Sequence, residues 1–143
     1  MGRAGAVGDF LIDKSAIVLF ARQRAVRRVW QDKIDAGVIG MCTLTELEMH
    51  YSAKSVEDSR DMTQTLTGMF PFVPMDETCW DRAREIQDGL LSRGTHRSAG
   101  PVDLLIAATA ERRGLIVLHR DKDFDCIAEV TGQAAVRVDR AAV

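Results

Sequence analysis

Short apolar runs of β type alternate with longer stretches of helical period along the whole chain, and that alternation dictates a parallel sheet covered by helices on both faces. Phe10-Leu11-Ile12 reads as a buried strand that stops at Asp13. Residues 16–36 carry a helical apolar period, with Arg22, Arg24, Arg27 and Arg28 around it and Gly37 as the stop. A second strand is expected over 38–42, then helices over 43–53 and 55–68, the latter with acids in its first turn. Residues 70–73 form a third strand candidate, short or at an edge because Pro71 and Pro74 have no amide to donate. Asp76 is placed to cap a helix reaching Arg93, residues 94–100 form a polar loop, and Pro101 suits the first turn of a helix ending at Gly114. Residues 115–118 and 136–138 supply the fourth and fifth strands. The expected fold is α/β, in three α/β/α layers with a central parallel sheet of about four to five strands. One domain is expected over 1–143, with its core over about 9–138.

Composition narrows the class. A chain of 143 residues supports one core but not two ordinary domains, and 46% hydrophobic with 28% charged residues excludes a disordered chain. The apolar stretch near the start is interrupted by Asp13 and Lys14, so no membrane span or leader core is expected and the default location is the cytoplasm. Cys42, Cys79 and Cys126 are odd in number and far apart, without a CxxC pair, which argues against structural zinc or a disulfide framework. Three buried, reduced thiols are expected instead. The net charge of −2 runs against the basic footprint of a nucleic-acid binder, but setting aside five acids that share a metal leaves +3 for the rest.

In parallel sheets ligands sit beyond the carboxyl ends of the strands, so the residues that follow each strand are the ones to weigh. Asp13 follows the first strand directly; alone it is better read as the N-cap of the helix starting near Ser15. Glu48 shares a helical face with Leu44, Leu47 and Tyr51, whereas Glu46 points elsewhere, so Glu48 is expected to project from the apolar, core-facing side. A carboxylate there is costly unless something positive or hydrogen-bonding meets it. Asp103 is the only charge in Pro101-Val102-Asp103-Leu104-Leu105-Ile106-Ala107-Ala108, a helix apolar nearly all round and therefore buried. Complementing the helix dipole explains its position but not its apolar surroundings. Asp121, Asp123 and Asp125 follow the fourth strand; an EF-hand loop is excluded by Cys126 and Gly132, and Asp125 reads as a solvated residue of a helix cap. Gathered in one pocket, such carboxylates raise one another's pKa or recruit a hard divalent cation, magnesium or manganese by preference.

Four segments carry a resemblance. Leu11-Ile12-Asp13-Lys14-Ser15-Ala16, Leu47-Glu48-Met49-His50-Tyr51-Ser52-Ala53, Pro101-Val102-Asp103-Leu104-Leu105-Ile106-Ala107 and His119-Arg120-Asp121-Lys122-Asp123-Phe124 resemble, in order and spacing, the four acidic motifs of VapC toxins in the PIN-domain superfamily. The resemblance implies a PIN-like fold and a magnesium-dependent endoribonuclease, with manganese substituting, that cuts structured RNA such as tRNA or rRNA. It further implies a VapB-type antitoxin covering the site, a toxin homodimer, and a larger complex bound to promoter DNA through the antitoxin. Asp13, Glu48, Asp103 and Asp121 match the catalytic acids, Asp123 is a second acid of the last motif, and Ser15 matches the hydroxyl residue that steadies the first. Lys14 departs from the Thr or Ser of many relatives and is expected in solvent, with pairing to an acid or a phosphate as the alternative.

On this reading Asp13 and Asp103 are the principal magnesium ligands, Asp121 and Glu48 complete the shell, and Glu48 or Asp123 orients the attacking water. RNA contacts are expected from basic groups around the pocket, with Arg22, Arg93, Arg97, Arg120 and Lys122 foremost. Two rivals belong to other classes. One is a PIN scaffold that binds RNA or protein without cutting. The other is a receiver-type phospho-acceptor, which wants paired acids after its first strand, where this chain has Lys14 beside a single Asp13.

Overall fold

β1 (Phe10–Ile12), β2 (Ile39–Gly40), β3 (Ile116–His119) and β4 (Ala135–Arg137) lie parallel in the spatial order β2-β1-β3-β4. The structure is a computed structural model and describes residues 8–140, so both ends of the expected 1–143 domain lie outside the described residues. The chain leaves β1 towards β2 on one side and meets β3 on the other, which makes the β1–β3 boundary the switch point where α/β sheets open a crevice. Seven α-helices are described: α1 (Lys14–Arg22), α2 (Arg24–Asp35), α3 (Thr43–Tyr51), α4 (Val56–Met69), α5 (Thr78–Ser92), α6 (Pro101–Arg113) and α7 (Lys122–Thr131). A 3₁₀ turn at His96–Ser98 interrupts the expected loop.

Strand alternation divides the core in two. Phe10, Ile12 and Leu118 face a layer built from α1, α2 and α4, with Ile17, Phe20, Trp30 and Leu66 buried in it. Leu11 and Val117 face the opposite layer of α5, α6 and α7, with Ile86, Leu90, Ile106 and Phe124. In α6 every residue from Leu104 to Ala110 is buried, as a helix without a polar face requires. Its end is set by Gly114 at φ 67°, a left-handed cap that glycine adopts without side-chain strain.

Three expectations change. The helix expected over 16–36 starts at Lys14 and breaks at Gln23, whose extended backbone both ends α1 and begins α2. The break re-aims the second half, so that Trp30 meets Phe10 edge-on at 5.6 Å and its indole N–H donates to the Val138 carbonyl at 3.1 Å. The strand candidate at 70–73 reduces to one parallel bridge between Met41 and Phe72, because Pro71 and Pro74 remove the amides a longer ladder needs. Cys42 and Cys79 are buried as expected, but Cys126 is only half-buried. Asp76 caps α5 from two residues before its start, its Oδ1 accepting the Thr78 N–H at 2.9 Å. No helix among the described residues is long and apolar enough to cross a membrane.

Gly40 allows the 70–73 segment to lie against β2: a Cβ there would run into buried Val73 Cγ2 and sit 3.2 Å from the Pro71 carbonyl oxygen. Gly40→Ala is therefore expected to lower unfolding free energy by about 1–3 kcal/mol in urea titration. In the double variant Gly40→Ala/Val73→Ala the combined loss should be smaller than the sum of the two single losses, since the added methyl enters the space Val73 vacates.

Candidate active site

Each candidate acid is aimed by an ordinary structural device. Asp13 ends β1 and caps α1: its Oδ2 accepts the Ser15 N–H at 2.9 Å and the Ser15 hydroxyl at 2.6 Å. Its own amide donates to the Leu118 carbonyl at 2.9 Å, which ties it to β3 across the switch point. Asp121 caps α7, its Oδ1 accepting the Asp123 N–H at 3.0 Å. Asp103 stands in the first turn of α6, behind Pro101. The N-termini of α1 and α6 thus carry one candidate acid each and that of α7 carries two, Asp121 and Asp123, all placed where the positive end of a helix dipole favours a carboxylate.

Asp13, Glu48, Asp103 and Asp121 line one cavity of about 330 Å³ together with Lys14, Ser15 and Arg120. Glu48 reaches it by a different route from the one its helical face implied. On that face Leu44 packs against the core, but Leu47 and Tyr51 are 61% and 91% exposed, so the stripe is not a core face throughout. The residue that α3 buries fully is Thr45, whose hydroxyl donates to the Ile12 carbonyl at 3.3 Å and so pins the helix beside the end of β1. Glu48, about one turn along the helix from Thr45, is thereby brought to the cavity beside Asp13.

The electrostatics follow from crowding. Burial first, and then the charges of Asp13, Asp121 and Asp123, push the Asp103 carboxyl up to about 7. Burial and the Asp13 charge raise Glu48, with Lys14 pulling the other way. Burial and the neighbouring Asp121 raise Asp123. These groups hold protons more tightly than isolated acids do, the expected behaviour of carboxylates packed together with too little positive charge.

Carboxylate oxygens of Asp103, Asp121 and Asp123 all lie within 4.8 Å of one another. At that spacing three carboxylate oxygens are close enough for one metal ion to be shared among them. Asp13 and Glu48 border the same cavity without joining the trio. Asp13 has Oδ2 engaged by Ser15 and Oδ1 free of hydrogen-bond donors among the described residues.

Of the basic residues expected around the pocket, Arg120 lines it, held also by Asp139 at 3.3 Å. Arg93 instead pairs with Glu129 at 3.8 Å, between α5 and α7. Arg22, Arg97 and Lys122 are exposed and do not line the cavity. Lys14, expected in solvent, is half-buried in the cavity wall with its charge acting on Glu48. His119 opens the last acidic motif without being an acid itself; its ring is fully buried and its Nδ1 accepts the Asp121 N–H at 3.0 Å. A lone polar residue ending an apolar strand was the available signal. Asp125 turns away from the cavity, towards Arg137 at 3.6 Å.

A parallel α/β sandwich with clustered carboxylates at the switch point belongs to the class of doubly covered sheets that carry an acidic site at the strand ends. The PIN domain family matches residues 10–130. Ribonuclease VapC2 of Mycobacterium tuberculosis is 41% identical over 130 residues, covering 90% of this chain and 92% of the relative. Ribonuclease VapC21 of the same organism is 40% identical over 124 residues, covering 87% and 89%. The chain belongs to the PIN-domain family and, within it, to the VapC ribonucleases. VapBC-1 from nontypeable Haemophilus influenzae has the same fold, with a TM-score of 0.75 at 18% identity over 92% of this chain and 98% of that one. The DNA-bound VapBC from Salmonella typhimurium superposes with a TM-score of 0.74 at 19% identity, covering 92% and 98%. PIN-domain ribonucleases are metal-dependent, and the acidic cluster matches that requirement.

The raised Asp103 carboxyl has a measurable consequence. Its folded pKa of about 7 lies above the ordinary 3.8, so between those values the folded chain binds more protons than the unfolded one. Stability contributed by this group is then complete below about 4 and lost as pH rises towards 7. In chelator, the thermal midpoint should fall across that window, and Asp103→Asn should flatten the decline. A divalent cation should restore the midpoint at pH 7.5 in the native chain and much less in the variant.

Proposed function

We propose that this chain is a magnesium-dependent endoribonuclease toxin of a VapBC-type module, hydrolysing phosphodiester bonds in structured RNA and neutralised by a VapB-type antitoxin. The observation that carries the reading is the convergence of Asp13, Glu48, Asp103 and Asp121, from four separate parts of the chain, on one cavity. The names of the relatives at about 40% identity support ribonuclease activity. The cytoplasm as location, homodimerisation and a larger assembly on promoter DNA through the antitoxin complete the proposal. VapBC bound to DNA in a protein of the same fold supports the last of these.

Asp103, Asp121 and Asp123 would hold the ion, with Asp13 presenting its free Oδ1 beside them. Bound there, magnesium would polarise a water and neutralise charge on the scissile phosphate. Glu48, whose proton affinity is raised by burial and by Asp13, is suited to orient the attacking water and accept its proton at the carboxylate. Ser15 joins the first and last motifs, donating to Asp13 Oδ2 and accepting the Arg120 N–H at 2.9 Å. Lys14 and Arg120 supply positive charge on the cavity wall, where a phosphodiester backbone must enter.

Asp13→Asn and Asp103→Asn should each reduce magnesium- or manganese-dependent cleavage of total cellular RNA to background, while far-UV circular dichroism stays native. Undiminished cleavage by either variant would remove that residue from the reaction. Ser15→Ala should retain partial activity, about 10–100-fold below the native chain, as expected for a group that orients a ligand rather than serving as one. Arg120→Ala should weaken RNA binding and make its salt dependence shallower by roughly one unit of slope.

A further inference from the structure

Between the end of β3 and the start of α7 two successive backbone amides, those of Arg120 and Asp121, have passed out of the strand ladder and not yet entered a helix. Each is taken by a side chain. The Arg120 N–H donates to Ser15 Oγ at 2.9 Å, and the Asp121 N–H donates to His119 Nδ1 at 3.0 Å. The first partner belongs to the support expected around Asp13. The second has no assigned role.

His119 is an expensive way to fill its position. The ring is fully buried, tilted against Phe124 at 5.2 Å between centroids, and an apolar side chain would pack there without a polar penalty. Because a backbone N–H can only donate, Nδ1 must be the bare nitrogen and the hydrogen resides on Nε2. That Nε2 is buried without a hydrogen-bond partner, its nearest carboxylate being Asp125 Oδ1 at 3.8 Å. The strand's last residue thus keeps an unpaired buried donor, and the single hydrogen bond its ring makes goes to the backbone of Asp121.

We propose that His119 is the positioning residue of the cation site, holding Asp121 in place through the Nδ1···H–N bond. Asp121 is then fixed at both ends: its amide by His119 and its Oδ1 by the Asp123 N–H, so the two acids of the last motif are presented as one unit. The inference rests on the reading of the acids as a cation site. It assigns to a neutral ring the orientation of a ligand that Ser15 performs for Asp13 on the neighbouring strand.

Asparagine and leucine at this position have nearly the same shape, and only asparagine places an acceptor where Nδ1 stands. Mn2+ binding to the full chain without RNA, followed by loss of the free-ion EPR signal, reads the site independently of cleavage. H119L should weaken Mn2+ binding by about 10–100-fold, while H119N stays within about threefold of the native chain. H119F keeps an aromatic ring against Phe124 without the acceptor; it should fail as H119L does, and it decides the matter if H119L does not fold. The Asp121 amide should exchange slowly with solvent in the native chain and H119N, and rapidly in H119L and H119F. Mn2+ binding equal to native in H119L or H119F, or equally poor in H119N and H119L, would overturn the proposal. A native chain that binds no Mn2+ would instead overturn the cation reading beneath it, a result distinct from binding indifferent to residue 119.

Discussion

Like charges crowded at the carboxyl edge of the sheet are the constraint around which this molecule is organised. Asp13, Glu48, Asp103 and Asp121 share a cavity whose walls offer two cationic side chains, Lys14 and Arg120. The imbalance is visible in the Asp103 carboxyl, which burial and its acidic neighbours push up to about 7. A folded chain tolerates such a cluster only when something compensates for it. Three helix N-termini supply part of the compensation, since α1, α6 and α7 all begin at the cavity with their positive ends inward. On the proposed reading a metal ion would supply the rest, since a cation placed among these carboxylates would relieve the repulsion that raises Asp103.

The topology is what allows three helix starts to meet. With strands in the order β2-β1-β3-β4, the connections after β1 and β3 leave the sheet at adjacent positions. Asp13 follows β1 directly and Asp121 follows β3 after Arg120, and each starts the next helix as an N-cap. Capping and ligation are therefore not competing explanations for these aspartates. A cap uses one carboxylate oxygen, Oδ2 in Asp13 and Oδ1 in Asp121, and leaves the other available to the cavity. The bond that positions the side chain is thus the same bond that starts the helix.

Much of this is legible in the residues themselves. The strand at Phe10-Leu11-Ile12, the buried helix after Pro101 and the acids beyond the strands follow from period and burial alone, because each is dictated by its own local pattern. The misses have a common cause in tertiary context. Nothing in residues 16–36 marks Gln23 as a break, which exists because Trp30 must turn to reach Phe10 and the Val138 carbonyl. The face of α3 bearing Leu44, Leu47 and Tyr51 has the pattern of a core face, but of the three only Leu44 packs inward, and the fully buried residue is Thr45, whose hydroxyl finds the Ile12 carbonyl. Glu48 does share a face with Leu44, Leu47 and Tyr51, as its spacing predicts, but that face lines a surface cavity rather than filling the core. Lysine's general habit places Lys14 in solvent, whereas the acids around it hold it half-buried in the cavity wall.

His119 exposes a limit of reading acids alone. Ligand positions are advertised by charge, whereas the groups that hold them still are neutral and look like packing. Ser15 and His119 occupy equivalent places in that respect, each accepting one stray amide of the segment between β3 and α7. Carboxylates repel one another, so the geometry of the cluster cannot come from the acids; it has to be imposed by the backbone that carries them. Backbone amides left between a strand and a helix are the natural handles, because they must be satisfied in any case and they lie next to the charged residues. A site of this kind is therefore specified twice, by the oxygens that meet the ion and by the acceptors that fix the peptide planes behind them.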